Sequence, residues 1–304
     1  MPGVSIIVCT YNPVEHIFSR CLDALTKAIS VRKPDEIIIV DNNSTTPLAE
    51  QDYIKRFIDL HANVSIVNES KQGLTPARLK GISLATSDLL VYVDDDNIVA
   101  PDFIEMGLQV AVDNPHIGAW SGQVKLEFEK TPEPWTKKYW GLLVHREFDR
   151  DYWSNLPHLG ETMPCGAGLF IRKTVADYYY QIHKSGKRNI QLDRDGKSLF
   201  SGGDNDMAAC ACDLGLGVGL FHKIVVTHYI PPFRVEKEYL LRLAEGIAAS
   251  AVVFRSFRGE YATEPSMKNR LAYHLRCILK NPIDRAFYQA VTRGEKAGLK
   301  MIRN

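Results

Sequence analysis

Four short, almost unbroken apolar strings punctuate the first 125 residues: Val4–Cys9, Ile37–Val40, Val64–Val67 and Leu89–Val93. Strands buried on both faces read this way, without the alternation of half-exposed ones, so each string predicts a strand in a parallel sheet. Between the first two lies a helical pattern. Asn12 suits an N-cap and Pro13 the first helical position. Phe18, Leu22, Leu25 and Ile29 then recur on one helical face. Strand, helix and strand repeated in this order predict an α/β fold, a Rossmann-like half with a mainly parallel central sheet flanked by helices.

Beyond this half the pattern loosens. Residues 123–165 carry Pro132, Pro134, Pro157 and Pro164 and three tryptophans, Trp135, Trp140 and Trp153, suited either to sugar stacking or to core packing. Regular structure resumes with a strand at Gly168–Ile171. A helix follows over Asp206–Leu214, where Met207, Cys210, Ala211 and Leu214 share a face and Gly215 can end it. Ile224–Thr227 predicts another strand, closing on His228. From Glu236 the pattern is helical, with one apolar stripe at Leu271, Leu275 and Ile278 and a second, after Pro282, at Ile283, Phe287 and Val291. The chain thus divides into a body over 1–234, with halves 1–125 and 126–234, and a C-terminal helical, basic extension over 235–304.

Composition narrows the class. The 304 residues are 45% hydrophobic and 24% charged, values of an ordinary globular protein rather than a disordered or fibrous one. No apolar run approaches the ~18 residues of a membrane span, and the N-terminus lacks the basic region of a signal peptide. The six cysteines form no CxxC pair and sit mostly within apolar strings, so they read as small buried hydrophobes in a reducing cytoplasm. Net charge is +1, but residues 266–304 carry nine Lys/Arg against Asp284 and Glu295, leaving the preceding 265 residues at −6. Lys268, Arg270, Arg276, Lys280, Arg285 and Arg293 flank the two apolar stripes. A basic helix with an apolar face can lie on an anionic membrane. The alternative is that the stripes pack on the body or on a second subunit.

Candidate chemistry gathers at the strand ends. No GxGxxG follows the first strand, which excludes the usual dinucleotide site. Ligands of open α/β sheets still bind beyond the carboxyl ends of the strands. Those ends carry Thr10-Tyr11-Asn12, Asp41-Asn42-Asn43-Ser44 and Asp94-Asp95-Asp96-Asn97. Three adjacent carboxylates repel one another unless a cation neutralises them, and Mg²⁺ or Mn²⁺ takes one or two carboxylates plus substrate phosphates. A solvated turn capping the next helix is the plainer reading. Asp41 suits either a turn cap or acceptance of a ligand N–H such as the imide of uracil.

Taken in order, the segments VSIIVCTYNP, IIIVDNNS, Gly73-x-x-x-Ala77-Arg78, LLVYVDDDN, CGAGLFIRK, GGDNDM and VVTHYIPPFR resemble the family 2 glycosyltransferases of the GT-A fold. The resemblance covers roughly residues 4–234. It implies that Thr10, Tyr11, Asn12 and Asp41 line a nucleobase pocket and that Arg78 steadies the base or diphosphate. It implies that Asp94 and Asp96 form the DxD motif, with Asp95 between them, and that Asp204 is the general base, with Asp206 in reserve. His228 matches a position of metal or diphosphate contact, and Arg234 reaches the diphosphate. The sequence departs from the motif at Gly203, where the family has Glu. Asp204 lies just before the predicted helix, whose dipole favours an ionised carboxylate.

The implied activity is inverting, metal-assisted transfer of a sugar from a nucleotide-diphosphate donor, first a UDP-sugar and next a dTDP-sugar, to a hydroxyl of a glycan or lipid-linked acceptor. The implied setting is cytoplasmic, with peripheral contact at the inner membrane face, and no nucleic-acid partner. Two other readings are a non-catalytic sugar-nucleotide-binding protein and a sugar-1-phosphate nucleotidyltransferase. The second needs a Gly-rich N-terminal loop with a basic residue, and Cys9–Pro13 offers neither.

Overall fold

The computed structural model describes residues 2–157, 160–194, 199–260, 277 and 279–303. All four apolar strings are strands: β1 (Val4–Thr10), β2 (Glu36–Asp41), β3 (Val64–Asn68) and β4 (Leu89–Tyr92). They lie in the order β3-β2-β1-β4, parallel throughout. The absence of alternation has a direct structural cause. Ile6 and Val8 of β1, Ile37 and Ile39 of β2, and Leu89 and Val91 of β4 face one core. Their neighbours Ile7 and Cys9, Ile38 and Val40, and Leu90 and Tyr92 face a second core. Both faces of β1, β2 and β4 are covered, so their apolar strings are broken only at Ser5, while β3 at the sheet edge is partly exposed.

The first core is closed by α1 (Glu15–Val31), α2 (Asp52–Leu60) and α4 (Phe103–Asp113); α3 (Leu74–Leu84), α5 (Lys173–Lys184) and α6 (Gly203–Asp213) close the second. Phe18, Leu22, Leu25 and Ile29 are the buried stripe of α1, as their spacing predicts. The start of that helix differs from the prediction. Its N-cap is Val14, with no side-chain cap. Asn12 instead takes a left-handed conformation (φ 46°) and ties two loops together, donating from its N–H to Ser44 Oγ and accepting from Thr45 N–H at its Oδ1. Pro13 precedes the helix rather than opening it.

The sheet continues past β4 with the antiparallel β8 (Leu169–Arg172), then β6 (Ile117–Phe128), β9 (Gly217–Ile230) and β5 (Asn97–Val99); β7 (Tyr152–Ser154) also pairs with β9. β9 is far longer than the predicted Ile224–Thr227, and β5 and β7 were not predicted. β5 follows the acidic triplet directly, so the three aspartates link β4, in the middle of the sheet, to β5 at its far edge beside β9. Trp135 and Trp140 pack partly buried in a third cluster, around a 3-10 helix at Pro134–Leu143, while Trp153 is exposed on β7. The six cysteines are unpaired and, Cys212 apart, buried.

The extension supplies α7 (Lys237–Phe257) and α8 (Pro282–Met301). The stripe at Ile283 and Phe287 packs onto the body: Phe287 is buried, with its ring stacked on Tyr139 at 3.5 Å between centroids, and Arg293 pairs with Glu245 of α7 at 2.9 Å. Ile283 and Phe287 of the second stripe thus follow the packing alternative, whereas its third member, Val291, is exposed. Leu271, Leu275, Ile278, Lys268, Arg270 and Arg276 lie outside the described residues. Among the described residues no helix is long and apolar enough to cross a membrane.

Candidate functional site

A cavity of about 340 Å³ opens beyond the carboxyl ends of β1, β2 and β4. Thr10, Tyr11, Arg78, Asp94, Asp95, Asp96, Asp204, His228 and Arg234 all line it. Residues up to 224 positions apart in sequence thus meet there, because parallel strands deliver their carboxyl ends to one edge.

Two predicted lining residues do not reach it. Asn12 serves the loop tie described above. Asp41 is buried, and its oxygens accept the backbone N–H of Ser44 at 2.9 Å and of Leu48 at 3.2 Å. It is a turn cap, and its neighbour Asn42 lines the cavity instead, held by the Gly73 N–H and by the carbonyls of Glu69 and Lys71. In a strand running into a turn, successive side chains point to opposite sides, so one position decides which residue is presented.

The acidic triplet is electrostatically tense. Burial raises the Asp94 pKa, and Arg78 offsets this only in part. Asp95 is pushed up to about 7 by burial and by the adjacent Asp96 charge, despite a hydrogen bond donated by Thr10. Burial would raise Asp96 as well, yet His228 and Arg234 outweigh it and hold that carboxyl below the usual range. Arg234 Nη1 lies 2.7 Å from Asp96 Oδ2 and 3.0 Å from His228 Nε2. His228 Nδ1 donates to the Leu143 carbonyl at 3.0 Å, which aims Nε2 into the site.

This arrangement fits a divalent ion. Asp96 Oδ2 and His228 Nε2 converge on one positive nitrogen, and a histidine fixed through its other nitrogen is the usual form of a metal ligand. Among the described residues no three His, Cys, Asp or Glu side chains form a ready-made cage. Mg²⁺ and Mn²⁺ do not require one, since substrate phosphates complete their coordination.

Asp204 lines the same cavity, close to Arg78. α6 begins at Gly203, three residues earlier than predicted, so Asp204 lies within its first turn rather than just before the helix. Its Oδ2 accepts the Gly166 N–H. An added Cβ at position 166 would lie 2.7 Å from Arg78 Nη2 and 3.1 Å from Asp204 Oδ2, so a side chain there would press on both. Asp204 Oδ1 has no hydrogen-bond partner among the described residues.

Asp206 does not share the site. Two residues apart on a helix means about 200° of rotation. Asp206 therefore points away from the cavity, 1% exposed, between Arg188 at 2.7 Å and Arg258 at 3.0 Å. Its role is a buried ion-pair network, which removes it as a reserve base. Asp206→Ala leaves the Arg188 guanidinium without its anion and takes from Arg258 one of two, Asp213 remaining, a cost of about 3–5 kcal/mol. The expected result is a lower melting temperature with kcat near wild type in the protein that remains folded; thermal melts paired with kinetics below the transition check it.

Several lining residues carried no motif. Asp193 and Arg194 come from the connection between α5 and α6, with Phe200 and Ser201 from its far end. Asp193 is 3% exposed and pairs with Arg78 at 3.1 Å. The only sequence signal was the charge alternation Asp193-Arg194-Asp195 in a polar loop, which solvated loops share.

Comparison with known proteins agrees with this geometry. Residues 5–178 match glycosyl transferase family 2. A glucosyl-dolichyl phosphate glucuronosyltransferase of Haloferax volcanii is 29% identical over 46% of this chain and 44% of its own length. Glycosyltransferase AglE of the same organism is 22% identical over 81% of this chain and 73% of its own. Among the curated relatives, two matches cover only 31% and 44% of the relative's length. A mannosyltransferase from Pyrobaculum calidifontis, solved with GDP-Man and Mn²⁺, superposes with a TM-score of 0.56 at 16% identity, over 98% of this chain and 87% of that one. The fold is the GT-A fold.

Proposed function

Because this chain belongs to glycosyl transferase family 2, we propose that it transfers a sugar from a nucleotide-diphosphate donor to a hydroxyl of a glycan or lipid-linked acceptor, with inversion at the anomeric carbon. The observation that carries this reading is one cavity that gathers the carboxylates Asp94, Asp95, Asp96 and Asp204 with Arg78, Arg194, Arg234 and His228. Cationic side chains suit a diphosphate, and a carboxylate with one oxygen uncommitted suits a base.

In this mechanism Thr10 and Tyr11 border the nucleoside, and Arg78 and Arg234 take the charge of the diphosphate. What a divalent ion supplies when bound is neutralisation of the leaving diphosphate; Asp94, Asp96 and His228 would hold it. Arg234, which bridges Asp96 and His228, turns its guanidinium toward the diphosphate. Asp204 Oδ1 accepts the acceptor hydroxyl proton as that oxygen attacks the anomeric carbon opposite the diphosphate. Holding both substrates in line contributes much of the rate through proximity. UDP-sugars remain the first candidates, with dTDP-sugars next. Asp41 does not contact the base in this account, so base selection falls to residues such as Thr10, Tyr11, Asn42 and Gln72.

A panel of UDP-, dTDP- and GDP-sugars with Mn²⁺ tests the reading. A ligand present at 100 Kd adds about 2.7 kcal/mol. One class of donor is expected to raise the melting temperature and to release its nucleoside diphosphate when acceptors are added. No thermal shift with any member would refute donor binding. A shift without nucleotide release from any acceptor would point to the non-catalytic binding protein.

A further inference from the structure

The sequence leaves an open question at position 203, where glycine replaces the glutamate that the motif leads one to expect. The space beside Gly203 is already taken. An added Cβ there would lie 2.1 Å from Asp193 Oδ2, 2.5 Å from its Cγ and 2.7 Å from its Oδ1. A carboxylate therefore occupies the volume in which a side chain at 203 would begin. It arrives from the α5–α6 connection instead of from the helix.

Asp193 is held on three sides. Its Oδ2 accepts from Thr75 Oγ1 at 2.9 Å and from Arg78 Nη1 at 3.1 Å, both on α3. Its Oδ1 accepts the N–H of Gly203, the first residue of α6, at 3.0 Å. That last bond places a negative charge on a helix N-terminus, one residue before Asp204. The chain of contacts continues, since Arg78 and Asp204 both close on Gly166.

We propose that Asp193 is the positioning residue of this site: its carboxylate replaces the one missing at 203, fixing Arg78 on the donor side and the first turn of α6, with Asp204, on the acceptor side. The inference rests on the transferase reading only for its kinetic consequence. The exclusion between Asp193 and a side chain at 203 is geometric. Gly203 follows from Asp193: with the loop carboxylate in place, a side chain at 203 would begin inside it.

Four proteins test this: wild type, Asp193→Ala, Gly203→Glu and the double variant. Melting temperature, calorimetric binding of UDP with Mn²⁺, and kcat and KM on the donor that the wild type turns over are measured for each. Asp193→Ala orphans the buried Arg78, and Gly203→Glu drives a side chain into Asp193. Each single variant is expected to melt roughly 5–10 °C lower. Each is also expected to lose at least about 10-fold in kcat, because Asp204 is displaced. The double variant should melt above either single one and regain most of kcat, since the carboxylate returns from the helix side. A double variant that melts no higher than the worse single one overturns the exchange. Recovery of melting temperature without recovery of kcat, or an Asp193→Ala protein with wild-type kcat, reduces Asp193 to a stabilising residue and overturns the positioning role. If wild type itself binds neither UDP nor any donor, the transferase reading fails, while the melting temperatures still decide whether the two positions exchange.

Discussion

Replacing Asp204 by asparagine is expected to lower kcat by about 10²–10⁴-fold while leaving nucleotide binding nearly unchanged. The substitution keeps the side-chain shape and the first turn of α6. It removes the only property the reaction needs there, the capacity to take a proton. The geometry sharpens the expectation. The Gly166 N–H points at Asp204 Oδ2, so an amide at 204 has to turn its carbonyl oxygen toward Gly166. Its NH₂ then faces the cavity, where it donates a hydrogen bond at the place where an acceptor is required. Steady-state kinetics and calorimetric binding of the nucleotide, measured on the same preparation, separate the two effects. An asparagine variant with wild-type kcat would remove Asp204 from the chemistry, and Asp206 would not inherit the role, because it faces Arg188 and Arg258 instead.

The second large effect is expected at Asp96. Its Oδ2 is the point on which Arg234 and His228 converge, and its Oδ1 accepts from Asn97 Nδ2 at 2.9 Å. Asp96→Ala removes a carboxylate held ionised by its surroundings and leaves two basic groups without their anion. Neutralisation of a leaving diphosphate amounts to several kcal/mol of transition-state stabilisation, so a loss on the order of 10³-fold in kcat/KM is expected. Treatment of the native enzyme with EDTA should reproduce the loss, and added Mn²⁺ should reverse it. Full turnover after chelation would show that Arg78 and Arg234 carry the diphosphate charge without a divalent ion. Full turnover in Asp96→Ala with a chelator-sensitive native enzyme would move the ligand role to Asp94 and Asp95.

Much of the fold and part of the site were legible along the chain. The parallel strands β1, β2 and β4 announced themselves because burial on both faces removes polar residues from nearly every position, a signal that needs no knowledge of neighbours. The acidic triplet, Arg78, Asp204, His228 and Arg234 were legible because they sit at the ends of such elements in a recognisable order. Asn12 and Asp41 show the limit of that reasoning. Each stands one residue from a position that lines the cavity, and each is turned aside by a backbone N–H that it satisfies instead. Tyr11 and Asn42 are the residues presented.

What the sequence determined by itself is therefore the layer architecture and the edge of the sheet at which ligands meet, since both follow from local periodicity and strand direction. The tertiary structure alone decided which carboxylates face the cavity. Asp204 and Asp206 are equivalent in composition and nearly so in position. They part because two positions on one helix differ by about 200° of rotation, and the face that carries Asp206 packs against Arg188 and Arg258. Asp193 could not be singled out at all, since its partners Thr75 and Arg78 lie more than a hundred residues earlier and its loop carries no periodic pattern. A contact between distant segments depends on the packing of α3 against α5 and α6, and no stretch of sequence records that packing.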